Sequence, residues 1–220
     1  MASRTRLAER SPAQFVLWLS GAVTFGLGVL LAQSNGYPLR PLQSSGFLLL
    51  LAVLQAAVLW RLPWGRAAVG GLVLGLLPLY LGFYGQSGHW VSEVWILGLL
   101  LSLAAGNALL ADRWHQEWQR LAVSPTAPPP GGAPRALAFT LVNILLITGL
   151  VFIWYFPANP LPGRDGAWLV ALAAVGNQEL IKRKYYASPR GSLILARSAA
   201  GFHLLFTGWL LLVFIRRAGG

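Results

Sequence analysis

Residues 106–120, GNALLADRWHQEWQR, are where this chain stops being apolar. A hydrophobic helix runs without a break into Asp112, His115, Gln116 and Glu117. Such a passage is either the rim of a catalytic site or the wet end of a membrane-spanning helix. The residues around it decide which.

Those surroundings point to a bilayer. The chain has 220 residues, 56% of them hydrophobic and only 10% charged, with a mean hydropathy of +0.60. A soluble domain carries roughly 25% charged residues. In place of the missing charge stand apolar stretches close to the roughly 17–25 residues that cross a hydrocarbon core as a helix. No basic stretch leads into a short apolar segment and a small-residue cleavage site, so no removable signal peptide is expected. The chain has no cysteine, which excludes disulfides, thiolate metal sites, covalent haem attachment and a cysteine nucleophile.

Apolar periodicity and its breakers predict seven helices, over residues 14–32, 42–62, 67–84, 91–111, 136–156, 166–180 and 192–215. The breakers are Pro38 and Pro41, Pro63, Gly85 and Gly88, and the run 157–163, all residues that interrupt helices. The sixth helix is short, and IKRKYY is expected to continue it as an amphipathic exit. The expected organisation is a tail (1–13), a four-helix part (14–121), a mobile Pro/Gly-rich linker (122–135) and a three-helix part (136–217).

Charge then orients the helices. Arg4, Arg6, Arg10, Arg61, Arg66, Arg113, Arg120, Arg135, Lys182, Arg183, Lys184 and Arg190 fall on the side of the N-terminus. Arg40, Arg164, Arg216 and Arg217 fall on the other, and Arg197 lies inside the last helix. Cationic loops stay in the cytoplasm, so the N-terminus is expected there and the C-terminus on the opposite side. The net charge of +11 is thereby explained by topology and anionic lipid, and no nucleic-acid partner is expected. Membrane lipids and other integral membrane proteins are the expected partners.

Six carboxylates limit the chemistry: Glu9, Glu93, Asp112, Glu117, Asp165 and Glu179. At helical spacing Asp112, His115, Gln116 and Gln119 share one face, and Trp114 pairs with Trp118 on another. Asp112 and His115, with Glu117, can hold a cation or a polar headgroup. The simpler reading is a helix end leaving the membrane with its tryptophans at headgroup level. One carboxylate with one histidine makes Asp112 a weak metal ligand. In GNQELIKRKYY, residues 176–186, Asn177 and the cations Lys182, Arg183 and Lys184 can receive a phosphate, or simply flank a span. Deeper in apolar helices lie Asn107, Asn143, Arg197 and His203. Intramembrane polar groups face a bundle interior or a cavity; Arg197 is near enough to an end to snorkel. His203 reads as a packing hydrogen bond or an axial ligand to a pigment. There is no GxSxG, phosphate-binding glycine loop or HExxH in the chain.

The third and fourth helices carry Pro78, Gly82, Tyr84, Gln86, Ser87 and Gly88, then Asn107 and Asp112. In this pattern they resemble the UbiA superfamily of intramembrane prenyltransferases, nearest the menaquinone-type branch. The ending KRKYYASPRGSLILARSAAGFHLLFTGWLLL is similar to the family's last loop and helix, and the likeness runs from about Ala13 to Ile215. It implies an all-α membrane protein, a bundle of about seven transmembrane helices, UbiA-like minus the first two helices. The family's second aspartate-rich motif would fall on residues 112–119, where only Asp112 and an off-register Glu117 are acidic. Arg113, His115 and Gln116 occupy its other positions. Ionising an allylic diphosphate needs magnesium held by several carboxylates, and Asp112, Glu117 and Glu179 cannot rebuild that cluster.

The resemblance therefore implies a non-catalytic membrane subunit that binds an isoprenoid lipid, quinone or pigment, or docks in a larger membrane complex. It would require no cofactor. The alternative is an active prenyltransferase, using magnesium and completed by a second chain, which acts on an aromatic acceptor such as dihydroxynaphthoate. A repeat-built transporter would show Gly/Pro-interrupted spans at matched positions in two halves, and none is evident.

Overall fold

The computed structural model describes residues 12–61, 66–89, 91–124, 130, 132–155 and 166–219. Among them the chain is all helical: α1 (Pro12–Ser34), α2 (Pro41–Arg61), α3 (Arg66–Leu74), α4 (Leu76–Ser87), α5 (Ser92–Val123), α6 (Ala133–Tyr155), α7 (Ala167–Lys182) and α8 (Pro189–Gly219). A short 3₁₀ turn, Tyr185–Ala187, joins the last two. Among the described residues four stretches are long and apolar enough to cross a membrane: Ala67–Ser87, Ser92–Val123, Ala133–Tyr155 and Pro189–Ala218.

The single helix expected over 67–84 is two, α3 and α4, and the reason is local. Pro78 has no N–H with which to reach Leu74, so it is tolerated only in a first turn. The helix stops at Leu74 and restarts at Leu76, which places Pro78 in the first turn of α4. The Leu76 N–H turns instead to Ser102 Oγ on α5, at 2.8 Å. Gly75 makes this possible, because a Cβ there would lie 2.3 Å from the Ser102 amide nitrogen.

Two further boundaries differ from expectation. α5 runs on to Val123 and α6 begins at Ala133, so helix takes over both ends of the expected linker 122–135; residues 125–129 and 131 lie outside the described residues. The helical exit through IKRKYY ends at Lys182. Lys184 adopts the left-handed conformation (φ 55°), and its N–H bonds the Ile181 carbonyl at 2.9 Å. Chain reversal into α8 before Pro189 leaves no room for another helical turn. The tail 1–11, the breaker run 157–163, Pro63, Arg164 and Asp165 also lie outside the described residues.

α5 is the axis of the bundle, and α3, α4, α6 and α8 all pack on it. At 1.5 Å per residue it is about 48 Å long. The main core joins Leu27 and Leu31 of α1 with Leu79 and Phe83 of α4. It continues through Leu97, Leu101 and Ala104 of α5 to Leu146 and Leu150 of α6 and to Phe206 and Leu210 of α8. Small residues bring helices close: Gly28 and Gly82 lie against each other's helix, α1 on α4. A Cβ on Gly28 would meet the Leu79 carbonyl oxygen at 2.2 Å, and one on Gly82 the Phe25 carbonyl oxygen at 2.2 Å. Close backbone approach is how helices gain packing energy where lipid removes the hydrophobic difference.

Gly82→Leu should therefore force α1 and α4 apart and lower stability by roughly 1–3 kcal/mol, the usual range for overpacking. Gly176→Ala, where nothing lies within 4 Å, should be neutral or slightly stabilising. Thermal midpoints of the two variants in the same detergent check the contrast.

Candidate functional site

The polar residues picked out in the sequence fall into three separate groups, held by different helices. The first is the C-terminal end of α5. Asp112 is buried at 3% exposure and its Oδ2 accepts from Gln116 Nε2 at 2.7 Å. His115 reaches across to α8. Its Nδ1 faces Ser192 Oγ at 3.4 Å, while Nε2 faces Gln119 Nε2 at 3.1 Å. The Ser192 hydroxyl donates to the Pro189 carbonyl at 2.8 Å, so its oxygen is left to accept. An amide nitrogen can only donate. Both contacts therefore assign the ring proton to Nδ1.

Glu117 is turned toward arginines. Arg135 Nη1, from the start of α6, lies 2.5 Å from one carboxylate oxygen, and Arg113 Nε lies 3.4 Å from the other. The two tryptophans do not pair with each other; both engage Tyr186. Trp114 is fully buried and stacks on Tyr186, with ring centroids 5.3 Å apart. Trp118 Nε1 donates to the Tyr186 carbonyl at 2.9 Å. The turn after α7 thus packs over this end of α5, and its aromatic ring draws Trp114 inward.

The second group ties α6, α7 and α8 together. Buried Asn177 accepts from Ser198 Oγ at 2.6 Å, and Asn143 Nδ2 donates to the Ala174 carbonyl at 2.7 Å. Gln178 Nε2 donates to Thr140 Oγ1 at 3.2 Å. Arg197 is exposed beside this group. Lys182 and Arg183 are exposed as well and share Glu179, at 4.0 Å and 3.0 Å. The Glu179 carboxylate pushes the Arg183 pKa above its already high ordinary value.

The third group is interior. His203 is fully buried and its Nε2 meets Ser20 Oγ of α1 at 2.9 Å, an interhelical contact of the packing kind. Asn107 is 3% exposed, and neither of its side-chain polar atoms has a partner among the described residues. Gln86, in the stretch that carries the family resemblance, lies at the far end of the bundle from Asp112. There it accepts from the Arg40 N–H at 2.6 Å and donates to Ser44 at 2.6 Å.

No protein-family model, curated protein or solved structure matches this chain.

What the arrangement can do follows from its geometry. Among the described residues no three His, Asp or Glu side chains converge as metal ligands. Asp112 stands with an amide rather than with a second carboxylate, and Glu117 is occupied by guanidinium groups. The sequence reading missed Ser192, Ser198, Ser20 and Arg135. Single serines within apolar helices carry no periodic signal, and Arg135 reads in the sequence only as a cation of a charged flank.

Glu117→Ala should destabilise the fold by roughly 2–3 kcal/mol, because it removes the carboxylate that Arg135 and Arg113 both contact in a half-buried site. Glu179→Ala, at an exposed pair, should leave stability nearly unchanged. Thermal unfolding of both variants in one detergent reads the difference, and equal losses would contradict it.

Proposed function

We propose that this chain is a non-catalytic, UbiA-prenyltransferase-like integral membrane subunit. It crosses the bilayer seven times with its N-terminus in the cytoplasm and its C-terminus on the opposite side. It binds an isoprenoid lipid, quinone or pigment, docks on another membrane protein, or does both. The observation that carries the non-catalytic reading is the engagement of Glu117 by Arg113 and Arg135. A carboxylate whose charge is already balanced by two guanidinium groups is a poor magnesium ligand, and an allylic diphosphate is ionised through several such ligands.

Two features support the membrane placement. Cations concentrate at the end of the bundle where α5 finishes and α8 begins, as the positive-inside rule requires of a cytoplasmic face. Large apolar side chains point outward from α6 and α7, among them Leu141, Leu145, Phe152, Trp168 and Leu172. An apolar belt of this kind suits acyl chains or a neighbouring span.

The runner-up, an active prenyltransferase completed by a second chain, draws on one observation. Asn107 presents an unsatisfied buried amide about 8 Å along α5 from Asp112, where a substrate or a partner's helix could meet it.

Purification from the native membrane in mild detergent, with mass spectrometry of proteins and extracted lipids, separates the two. The expected result is a stoichiometric membrane partner or a bound isoprenoid, with no magnesium-dependent diphosphate release. Release that disappears in Asp112→Ala would establish the runner-up instead. Recovery of the protein with neither partner nor isoprenoid would overturn the subunit reading.

A further inference from the structure

The turn from α7 into α8 reverses the chain with few residues, and in doing so it gathers cations around a hollow. Arg183, Lys184, Tyr185, Ser188 and Arg190 line an open depression of about 420 Å³, within the range of pockets that take small ligands. Lys184 and Arg190 are exposed, and neither makes an ion pair among the described residues. Arg183 has only Glu179, which it shares with Lys182. Among the described residues, the depression is therefore lined by cations that are largely uncompensated.

The local backbone adds directed donors. Ser188 is the residue before Pro189, the first residue of α8, and its Oγ accepts from the Gly191 N–H at 3.1 Å. That bond caps the helix and leaves the hydroxyl proton to donate outward. The positive end of the α8 dipole lies at the same place. The floor is fixed from below: Tyr186 is held by Trp114 and Trp118 of α5, so the cations sit on an anchored turn.

We propose that this depression binds a phosphate-bearing headgroup, with Lys184 and Arg190 as its principal contacts, Arg183 at its edge and the Ser188 hydroxyl as a neutral donor. Guanidinium and ammonium groups bind phosphate oxygens through charge-assisted hydrogen bonds. The inference deepens the membrane-subunit reading, on which it rests for placing this turn at the bilayer surface. The same chemistry would accept a lipid phosphomonoester or a soluble diphosphate.

The test uses the full chain in a neutral detergent and follows binding by native mass spectrometry. The probes are dioctanoyl phosphatidic acid, inorganic diphosphate and, as the uncharged control, dioctanoylglycerol. One phosphatidic acid per chain is expected, with affinity falling about tenfold in Lys184→Gln and about tenfold in Arg190→Gln. Arg120→Gln, at an exposed cation outside the depression, should leave binding unchanged. Lys184→Gly relieves the left-handed backbone while removing the charge, so it provides a second variant if Lys184→Gln lowers helicity. Diphosphate binding with the same pattern of losses would identify a soluble phosphate as the source. Failure of both probes to bind one per chain, or an equal loss in Arg120→Gln, would overturn the proposal. Partner recovery plays no part in this assay, so its failure leaves the subunit reading standing, and the absence of a partner would not alter the measured affinity.

Discussion

The pairing of α5 with α8 is fixed by a polar tie at each end, and the other helices are placed by it. At one end His115 meets Ser192; at the other Arg217 Nη1 donates to Glu93 at 3.0 Å. At helical rise these ties stand about 33–38 Å apart along the two antiparallel helices, slightly more than the thickness of a hydrocarbon core. Between them the two helices share an apolar core, which near the His115 end includes the small residues Ala108 and Ala111 on α5 and Ala196 and Ala199 on α8. Sliding one helix along the other would break both ties and misplace this row. α1 and α4 then pack on one flank of the pair and α6 and α7 on the other.

This architecture uses its polar groups mainly on itself. Each one taken from water must find a partner, since an unpaired group in an apolar interior costs several kilocalories per mole. Ser102, Asn143, Asn177 and His203 all form bonds between helices or within them. Asn143 Oδ1 and His203 Nδ1 each lack a partner among the described residues, and in Asn107 both side-chain atoms do. At a rise of about 12 Å from the His115–Ser192 tie it stands level with Ala200, deep in the bundle. The acids at the end of α5 are likewise engaged, whereas Lys184 and Arg190, on the turn into α8, make no ion pair among the described residues.

Much of this was readable from residue order. The helices showed themselves because lipid-length apolar runs are long and their breakers are Pro and Gly. The Asp112–Gln116 bond followed from a spacing of four on one helix. What escaped depended on a neighbour remote in sequence. Nothing around Gly75 says that Ser102 lies beside it to receive the redirected Leu76 N–H. The spacing of Trp114 and Trp118 suggested an interfacial pair, whereas Tyr186, folded back from another helix, takes one ring into the core and binds the other through its carbonyl. Glu117 read as a ligand for a cation, but Arg113 lies four residues before it and Arg135 arrives across the linker. Local periodicity reports which face of a helix is polar; it does not report what meets that face.

The clamp on Tyr186 has an entropic consequence. A loop that must order itself around a ligand loses conformational freedom on binding, and the affinity is reduced by that loss. Here the ring stack with Trp114 and the bond from Trp118 hold the turn's backbone before any ligand arrives. In the proposed site, ordering is then confined to side chains, chiefly those of Lys184 and Arg190.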